Sequence, residues 1–443
     1  MFDKNTCILS PAYCVCKNDK EDYSIQCNID MMVSNENIFK LNDKYIYYPY
    51  MINEWDLSLL QCISDLQNED KRFARSDNEF INKYWNINYV LEKDKPLLSE
   101  NKKSNSLNLN DKYIDDNNNL KKAFSCEYEF FSCGDTKIDK LRVAVGNIKL
   151  KLNDFKDNII SNGNYSRDRY ESIVEMVNTA INQKANMLIL PENVMPLRWL
   201  SAAIRTCKNE GMALITGLEH IIIGKNVYNL TAVVLPYMDK RNGKKSACVS
   251  FHLKNHMSPG EKDLINKYGF IPIENFGKSK YGLYHWNDVW FSVYCCYELA
   301  SISDRAIFES YVDLLIAVEW NKDVNYFSNI IESMSRDVHC YCVQANTSDY
   351  GDSCIIKPVE TEKKVVLRIK GGENATVMIG EVDIKALRDF QEADYGAEAK
   401  RHGFKALPPR FSLDIARERK LGKLKARILV DHSKKNSRNK SED

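Results

Sequence analysis

The sequence predicts an α/β protein from about residue 140 onward, and two observations carry this prediction. Short runs rich in β-branched and aromatic residues recur between residues 141 and 382, as expected of buried strands. Between them lie segments with apolar residues at helical spacing, of which residues 169–183 are the clearest. Strands that alternate with helices along a chain favour sheets covered by layers of helices.

Each element is predicted from its own local pattern. Residues 187–190, for example, form a continuous apolar run closed by Pro191, which is typical of a buried strand. The predicted strands are residues 141–146, 187–190, 212–217, 230–235, 246–252, 289–296, 312–318, 340–345, 353–356, 364–369 and 375–382. The predicted helices are residues 169–183, 200–209, 305–310 and 327–339.

Composition divides the chain into three parts. Residues 1–136 are rich in Asn, Asp, Lys and Tyr, and we interpret them as an N-terminal extension of unknown fold and role. Residues 137–393 hold the alternating strands and helices. Residues 394–443 are predicted to be a basic helix and tail, and 13 Lys or Arg face only 5 Asp or Glu between residues 401 and 443.

The totals exclude several classes of protein. With 62 Lys and Arg against 61 Asp and Glu, the formal charge of +1 indicates neither a nucleic-acid nor a membrane partner for the chain as a whole. The chain begins without an export signal and contains no apolar run of the ~18 residues needed to span a membrane. We therefore expect a cytoplasmic protein without membrane association, whose 14 cysteines are thiols.

Three predicted strands each end in a residue that chemistry can use. Glu192 follows residues 187–190, Lys254 follows residues 246–252, and Cys296 ends the strand that begins at residue 289. If these strands are neighbours, the three side chains converge at one edge. A neighbouring ammonium lowers the pKa of a thiol, and a carboxylate within reach can take the thiol proton. The sequence therefore predicts a cysteine nucleophile with a base and an oxyanion-stabilising lysine.

Two cysteines are adjacent in this strand, and because successive side chains of a strand point to opposite faces, the two thiols are predicted to lie on different faces. Cys295 shares its predicted face with Phe291 and Val293, whereas Cys296 shares the more polar face with Ser292. We therefore assign the reactive thiol to Cys296 and core packing to Cys295.

The same residues resemble the Glu-Lys-Cys triad of the nitrilase superfamily, the carbon–nitrogen hydrolases. The matching segments follow the family's order between about residues 140 and 390. They are Leu190-Pro191-Glu192, Lys254-Asn255-His256-Met257 with Glu261, Cys296-Tyr297-Glu298 and Trp320-Asn321.

This resemblance implies a four-layer α-β-β-α sandwich with dimeric or larger homo-oligomers. It implies that Cys296 attacks an amide or nitrile carbon to form a thioester, with Glu192 as general base and Lys254 stabilising the tetrahedral intermediate. Glu261, by similarity, is a second glutamate that positions the site. Tyr297 after the nucleophile resembles amidases more than nitrilases, so a small-molecule amide is favoured as substrate.

Further features belong to the same resemblance. Trp320 and Asn321 are supporting site residues, and no cofactor or metal is implied. The segment after Glu298 departs from the substrate-binding run of small-molecule amidases. The segments Glu319-Trp320-Asn321-Lys322-Asp323 and Tyr350-Gly351-Asp352-Ser353, together with Asn346, look more like a divergent branch that also occurs joined to reverse transcriptases in antiphage systems.

Other interpretations remain open from the sequence. The sandwich is also consistent with a regulatory or scaffold protein, including one in bacterial antiviral defence, that uses the fold for assembly or ligand sensing. A third hypothesis is that the basic tail binds nucleic acid. Cys7, Cys14, Cys16 and Cys27 do not have the paired short spacings of a zinc site. His252 is predicted to point to the same face of its strand as Lys254. We favour a hydrogen-bonded structural histidine over a Cys–His catalytic pair.

Overall fold

The computed structural model describes part of the chain in detail. The described residues are 14–16, 45–47, 104–107, 126–150, 156, 166–223, 225–240, 243–275, 279–393, 403–425 and 428. Most of the predicted N-terminal extension, including Cys7 and Cys27, lies outside them, and so does the end of the basic tail. Among the described helices, none combines the length and the apolar character that crossing a bilayer requires.

The described elements follow the predicted alternation of strand and helix. The strands are β1 Cys14–Cys16, β2 Tyr45–Tyr47, β3 Ser104–Leu107, β4 Cys126–Cys133, β5 Lys140–Asn147, β6 Met187–Met195, β7 Ala213–Leu218, β8 Ile221–Ile223, β9 Asn226–Tyr228, β10 Leu230–Asp239, β11 Lys244–Leu253, β12 Ile271–Ile273, β13 Lys280–Trp286, β14 Val289–Cys295, β15 Leu314–Glu319, β16 Tyr341–Asn346, β17 Ser353–Ile356, β18 Val365–Ile369 and β19 Thr376–Asp383. The helices are α1 Arg167–Asn182, α2 Leu197–Glu210, α3 Pro259–Lys267, α4 Ile302–Ala306, α5 Val324–Asp337, α6 Ile384–Glu392 and α7 Leu413–Lys420. Two short 3-10 helices cover Cys296–Ala300 and Thr361–Lys363.

Two large mixed sheets form the centre of the molecule. One has six strands in the order β11-β10-β7-β6-β5-β19, and the other has eight in the order β18-β17-β16-β15-β14-β13-β4-β3. The strand that contains Glu192 and the strands that precede Lys254 and Cys296 are thus split between the sheets. β6 and β11 belong to the six-stranded sheet, and β14 lies inside the eight-stranded one.

The buried apolar residues show that the molecule has four layers. One core lies between the two sheets and takes alternate side chains from both, such as Val143 and Ile189 from one and Phe291 and Ile316 from the other. A second core packs α1 and α2 on the outer face of the six-stranded sheet. A third packs α5 on the outer face of the eight-stranded sheet. The predicted α-β-β-α sandwich is confirmed.

The eight-stranded sheet includes a strand from upstream of the predicted boundary at residue 137. β4 pairs in parallel with β13 over its last seven residues, from Glu127 to Cys133. Its side chains are part of the core, since Phe130 stacks on Trp290 with ring centroids 5.6 Å apart. The packed region therefore begins before residue 137, at the start of β4 or earlier.

The segment after residue 402 packs on the sandwich, which a solvated helix would not do. Arg419 in α7 is fully buried, and its guanidinium donates to the carbonyl oxygens of Ser310 and Val312, both at 2.7 Å. Leu424 and Ile428 belong to the core beneath α5. Part of the basic charge of this segment is consequently buried inside the protein.

Candidate active site

Glu192 lies at an irregularity in β6, towards the carboxyl end of this interior strand of the six-stranded sheet. The pairing of β6 with β7 shifts between Leu190 and Met195, and Asn193 has a φ of 59°. The approach of the two strands is close here, since a Cβ on Gly217 would lie 2.4 Å from the Glu192 Cα. Glycine in β7 therefore allows the backbone that carries Glu192 to pass.

Lys254 follows β11 and lies between two carboxylates. Its Nζ donates to Glu192 Oε1 at 2.8 Å and to Glu261 Oε2 at 2.6 Å, and the residue is 1% exposed. Burial lowers the pKa of a lysine, but here the charges of Glu192 and Glu261 outweigh burial and hold the pKa of Lys254 well above its usual value. Lys254 is therefore a fixed ammonium group.

Glu261 completes this arrangement from the first turn of α3. The helix begins after Ser258, whose hydroxyl accepts a hydrogen bond from the Glu261 N–H at 3.2 Å. Burial raises the pKa of the Glu261 carboxyl, but Lys254 and a hydrogen bond from His220 together hold that pKa well below its usual range. Both carboxylates are bridged by Asn229, whose Nδ2 donates to Glu192 at 2.8 Å and to Glu261 at 2.7 Å.

The predicted orientation of Cys296 is wrong, for a conformational reason. β14 ends at Cys295, and Cys296 begins a 3-10 helix with a φ of 47°. This left-handed conformation interrupts the alternation of the strand, so Cys296 joins Cys295, Phe291 and Val293 in the core between the sheets. A non-glycine residue at positive φ between a strand and a helix is strained, and such strain is concentrated at functional sites.

The two thiols have different neighbours. Cys295 Sγ donates to Glu192 Oε1 at 3.4 Å, whereas Cys296 Sγ lies 4.0 Å from the carbonyl oxygen of Trp320. Burial and the charge of Glu192 raise the pKa of both thiols well above the usual value, although Lys254 acts in the opposite direction. Both are therefore protonated at rest, and a thiolate forms only if a base removes the proton. Sequence reasoning did not anticipate the direct contact of Cys295 with Glu192.

The supporting residues take different places. The Trp320 backbone N–H donates to Glu192 Oε2 at 3.0 Å, which fixes the second carboxylate oxygen. Asn321 shapes the following turn, since its N–H donates to Asn346 Oδ1 and its own Oδ1 accepts from the Asp323 N–H. Tyr297 is 37% exposed beside Cys296, where a side chain can meet a ligand entering from solvent.

Residues without an assigned role in the sequence analysis complete the surroundings. Glu298 is fully buried and holds His252, whose Nε2 donates to its carboxylate at 2.9 Å, so His252 has a carboxylate partner rather than a cysteine. Asn229 contacts the carboxylates of Glu192 and Glu261, and His220 contacts that of Glu261; only the three-dimensional structure reveals these contacts. Within the described part of the chain, no three His, Cys, Asp or Glu side chains are arranged to hold a metal ion.

These contacts bring together a base, a fixed cation and two thiols. Glu192 receives hydrogen bonds from Lys254, Asn229 and Trp320, so its position is set before any ligand arrives. Such preorganised donors and acceptors stabilise charge that develops during a reaction without having to reorganise. The arrangement is suited to attack by a thiol on an electrophilic carbon.

Several solved structures are similar to this chain at low sequence identity. The amidase from Nesterenkonia sp. AN1, as a double mutant in complex with acrylamide, is 14% identical with a TM-score of 0.40, over 60% of this chain and 97% of that chain. Another mutant of that amidase has the acetamide moiety of fluoroacetamide added at its active site cysteine. It is 14% identical with a TM-score of 0.40, over 59% of this chain and 95% of that chain. A CN-hydrolase superfamily protein from Xanthomonas campestris, with an arsenic adduct in its active site, is 14% identical with a TM-score of 0.42. The match covers 61% of this chain and 99% of that chain.

By sequence alone, no protein-family model and no curated protein matches this chain. The neighbours named above are CN-hydrolase or nitrilase-superfamily proteins, the Nesterenkonia protein being an amidase.

Proposed function

We propose that this protein is a thiol-dependent hydrolase of a carbon–nitrogen bond other than a peptide bond. The observation that carries the proposal is the buried Lys254 ammonium between Glu192 and Glu261, at the same edge as Cys295 and Cys296. Burying three charged groups costs free energy unless they are paired and hydrogen-bonded, as they are here. A hydrolase that proceeds through a thioester uses such a base, cation and thiol together.

The reaction proceeds in two halves. Glu192 takes the proton of the Cys296 thiol as the sulfur attacks the substrate carbonyl carbon, and Lys254 donates a hydrogen bond to the oxygen as it becomes negative. When the carbon–nitrogen bond breaks, Glu192 gives its proton to the leaving amine, and a thioester remains. Water then attacks the thioester, giving its proton to Glu192, and the acid leaves as the Cys296 thiol is restored.

The surrounding residues support these steps. Glu261 keeps Lys254 charged and directed at the reacting oxygen, and Asn229 fixes the two carboxylates relative to each other by donating to both. Because both thiols are protonated at rest, proton removal by Glu192 is coupled to the attack itself. Tyr297 after the nucleophile supports an amide over a nitrile, by resemblance to amidases.

Other expectations stay predictions. A homo-oligomer, a cytoplasmic location, a role in antiviral defence and nucleic-acid binding through the tail each require their own measurement. For the tail, the expected observation is an affinity for nucleic acid that falls steeply with salt and is lost when residues 401–443 are removed.

The experiment that tests the proposal is intact mass after exposure to a panel of amides and nitriles and to a thiol-reactive probe. Wild type, Cys296→Ala and Cys295→Ala are compared. We expect an acyl adduct on wild type and on Cys295→Ala, and none on Cys296→Ala. An adduct lost only in Cys295→Ala would transfer the nucleophile to Cys295. If neither cysteine reacts faster than an ordinary thiol and no acyl mass forms, the hydrolase proposal is wrong and a scaffold or sensing role takes its place.

A further inference from the structure

A buried carboxylate outside the triad links the two strand ends that carry the reactive groups. Glu298 has no exposed surface, and its Oε2 accepts hydrogen bonds from the Cys295 backbone N–H at 2.6 Å and from His252 Nε2 at 2.9 Å. Its Oε1 accepts from His252 Nε2 at 3.0 Å and from the Asn255 backbone N–H at 2.5 Å. The backbone donors are the residue before Cys296 and the residue after Lys254.

This link matters because the two strands belong to different sheets. β11, which leads to Lys254, is at the edge of the six-stranded sheet, whereas β14, which leads to Cys296, is inside the eight-stranded one. No ladder of backbone hydrogen bonds therefore sets the distance from Lys254 to Cys296. Glu298 accepts a hydrogen bond from one backbone N–H on each side, and the Asn255 side chain adds contacts with the Lys280 backbone in β13.

The charge of Glu298 is needed for all of these contacts. A carboxylate accepts at both oxygens, and here three donors converge on it. The amide of glutamine has one acceptor oxygen and an NH2 group that only donates. A glutamine in this place therefore faces either the Cys295 or the Asn255 N–H with a donor and loses one side of the link.

We propose that Glu298 is a positioning residue that sets the separation of Lys254 and Cys296. This inference rests on the proposed function, because it assumes that Lys254 acts on the chemistry of Cys296. Glu298 itself touches neither substrate nor reacting atoms. Its effect passes through the backbone of Cys295 and Asn255.

The test measures the rate at which iodoacetamide alkylates Cys296, as a function of pH, by peptide mass. Wild type is compared with Glu298→Gln and Glu298→Asp, and the buried Cys207 is followed as an internal reference. Misplacing reacting groups by about 1 Å costs up to roughly a hundredfold in rate. We expect Glu298→Gln to slow Cys296 alkylation by about tenfold or more near neutral pH and to move its pH profile upward. Glu298→Asp should restore part of the rate because it keeps the charge.

A loosened fold has the opposite signature, which separates positioning from a merely structural role. Loosening exposes buried thiols, so Cys207 and Cys296 would both react faster in Glu298→Gln, and that result would overturn the inference. Unchanged Cys296 rate and pH profile would overturn it as well. If Glu298→Gln does not fold, Glu298→Asp alone is compared with wild type, since a side chain one methylene shorter lengthens at least one of the two backbone contacts; a slowing confined to Cys296 is expected, and an unchanged rate contradicts the inference.

The same experiment distinguishes the inference from the function on which it rests. If wild-type Cys296 is no more reactive than an ordinary thiol, the hydrolase proposal fails. If wild-type Cys296 is activated and stays so in Glu298→Gln, only the positioning role fails.

Discussion

At the scale of single residues, the site combines charges that are fixed with carboxyl and thiol groups that are not ionised at rest. Lys254 and Glu261 hold each other in their charged forms. Cys295 and Cys296 are protonated, and Glu319 nearby is another group held neutral by its surroundings. In the proposed mechanism, the proton that moves therefore starts on sulfur, and Glu192 receives it.

Glu319 gives a prediction about pH. This carboxyl is fully buried at the end of β15 and accepts a hydrogen bond from Gln344 Nε2 at 2.9 Å. Burial, with the charge of Glu192, outweighs that hydrogen bond and raises the pKa of Glu319 from 4.5 to about 8. Between these two values the folded state holds a proton that the unfolded state has released. The free energy of unfolding should therefore fall as pH rises through this window, by about 1.4 kcal/mol for each unit of pKa difference.

The measurement is urea denaturation of wild type and Glu319→Gln at pH 5 and pH 8. A neutral amide cannot release the proton, so the variant should gain stability relative to wild type on going from pH 5 to pH 8. A difference between the two proteins that does not change with pH would contradict the neutral state of Glu319.

The sequence predicted the arrangement of these residues only in part, for a local reason. Glu192, Lys254 and Cys296 were named because each follows an apolar run, and strand ends meet where ligands bind. The side on which Cys296 lies was predicted wrongly because alternation assumes an extended backbone, and its positive φ is not visible in residue types. The contacts of Asn229 and Glu298 join residues far apart in the chain, so no local pattern encodes them.

At the scale of elements, the site depends on a close passage between β6 and β7. Replacing Gly217 with alanine places a Cβ 2.4 Å from the Glu192 Cα and 2.7 Å from the Asn193 N. Both are backbone atoms, so the strand carrying Glu192 must shift. We expect Gly217→Ala to lower the free energy of unfolding by about 1–3 kcal/mol and to slow Cys296 acylation.

The matched control is Gly260→Ala in α3, where an added Cβ meets nothing within 4 Å. Alanine favours a helix over glycine by about 1 kcal/mol, so this variant should be neutral or slightly stabilised. Thermal unfolding and the acylation rate of both variants are the measurements. Equal effects of the two substitutions would rule out the close passage as the cause.

A second element-scale prediction concerns the link between the Lys254 segment and α4. His256 Nε2 lies 3.1 Å from Asp304 Oδ2, and this hydrogen bond, above all, raises the pKa of His256 above 6.5. The pair thus stabilises the fold fully below the unfolded pKa, and the gain is lost as pH rises through the higher folded value. His256→Gln should cost more stability at pH 6 than at pH 9.

Because the His256 side chain is 42% exposed, solvent screens the pair and the cost should stay below about 1 kcal/mol. Chemical denaturation of the two proteins at both pH values gives the comparison. A cost that is equal at pH 6 and pH 9 would show that the charge of His256 has no part in it.

Element prediction succeeded where a pattern is local and failed where it is not. The buried run 340–345 gave β16 with a shift of one residue, whereas β6 continues five residues past the predicted 187–190, through Pro191 to Met195. β4 was placed in the extension because its polar surroundings resemble those of the residues before it. Its partner β13 is far away in sequence, since the paired residues Ser132 and His285 are 153 positions apart. The pairing of the two strands therefore cannot be recognised from the residues next to either of them.

At the scale of the whole molecule, α7 is attached through a buried cation. Besides its contacts with carbonyl oxygens, the Arg419 Nε lies 3.3 Å from Asp313 Oδ1, and Asp313 also pairs with Arg388 at 2.6 Å. Removing one partner of a buried charge network typically costs about 3–5 kcal/mol. We expect Arg419→Ala to lower the free energy of unfolding by roughly this amount.

Arg417→Ala is the control, since Arg417 is on the exposed side of the same helix. It should change stability by less than about 0.5 kcal/mol. Urea denaturation of both variants is the measurement, and similar small effects would show that α7 contributes little to the fold. The predicted salt-dependent binding of nucleic acid should be weakened by Arg417→Ala, because Arg417 is exposed. The Arg419 side chain is buried and cannot contact a nucleic acid directly.

The upstream strand gives a further whole-molecule prediction. A chain beginning at residue 137 lacks β4 and so leaves β13 unpaired on one side and the rings of Tyr284 and Trp290 without Phe131 and Phe130. Exposed edges of this kind associate with other chains. We expect this chain to aggregate during purification, and one beginning at residue 104 to remain soluble. Equal solubility and equal melting temperatures would contradict the prediction.

The position of β4 also has a consequence for synthesis of the protein. At about 5–20 residues per second, translation takes on the order of ten seconds or longer to pass from β4 to its partner β13. During that interval the aromatic side chains of β4 have left the ribosome while the strand that will cover them does not yet exist. Closing a loop of this length before any pairing is gained also makes folding slow. The aromatic side chains of β4 therefore stay uncovered by this partner strand until β13 has been synthesised.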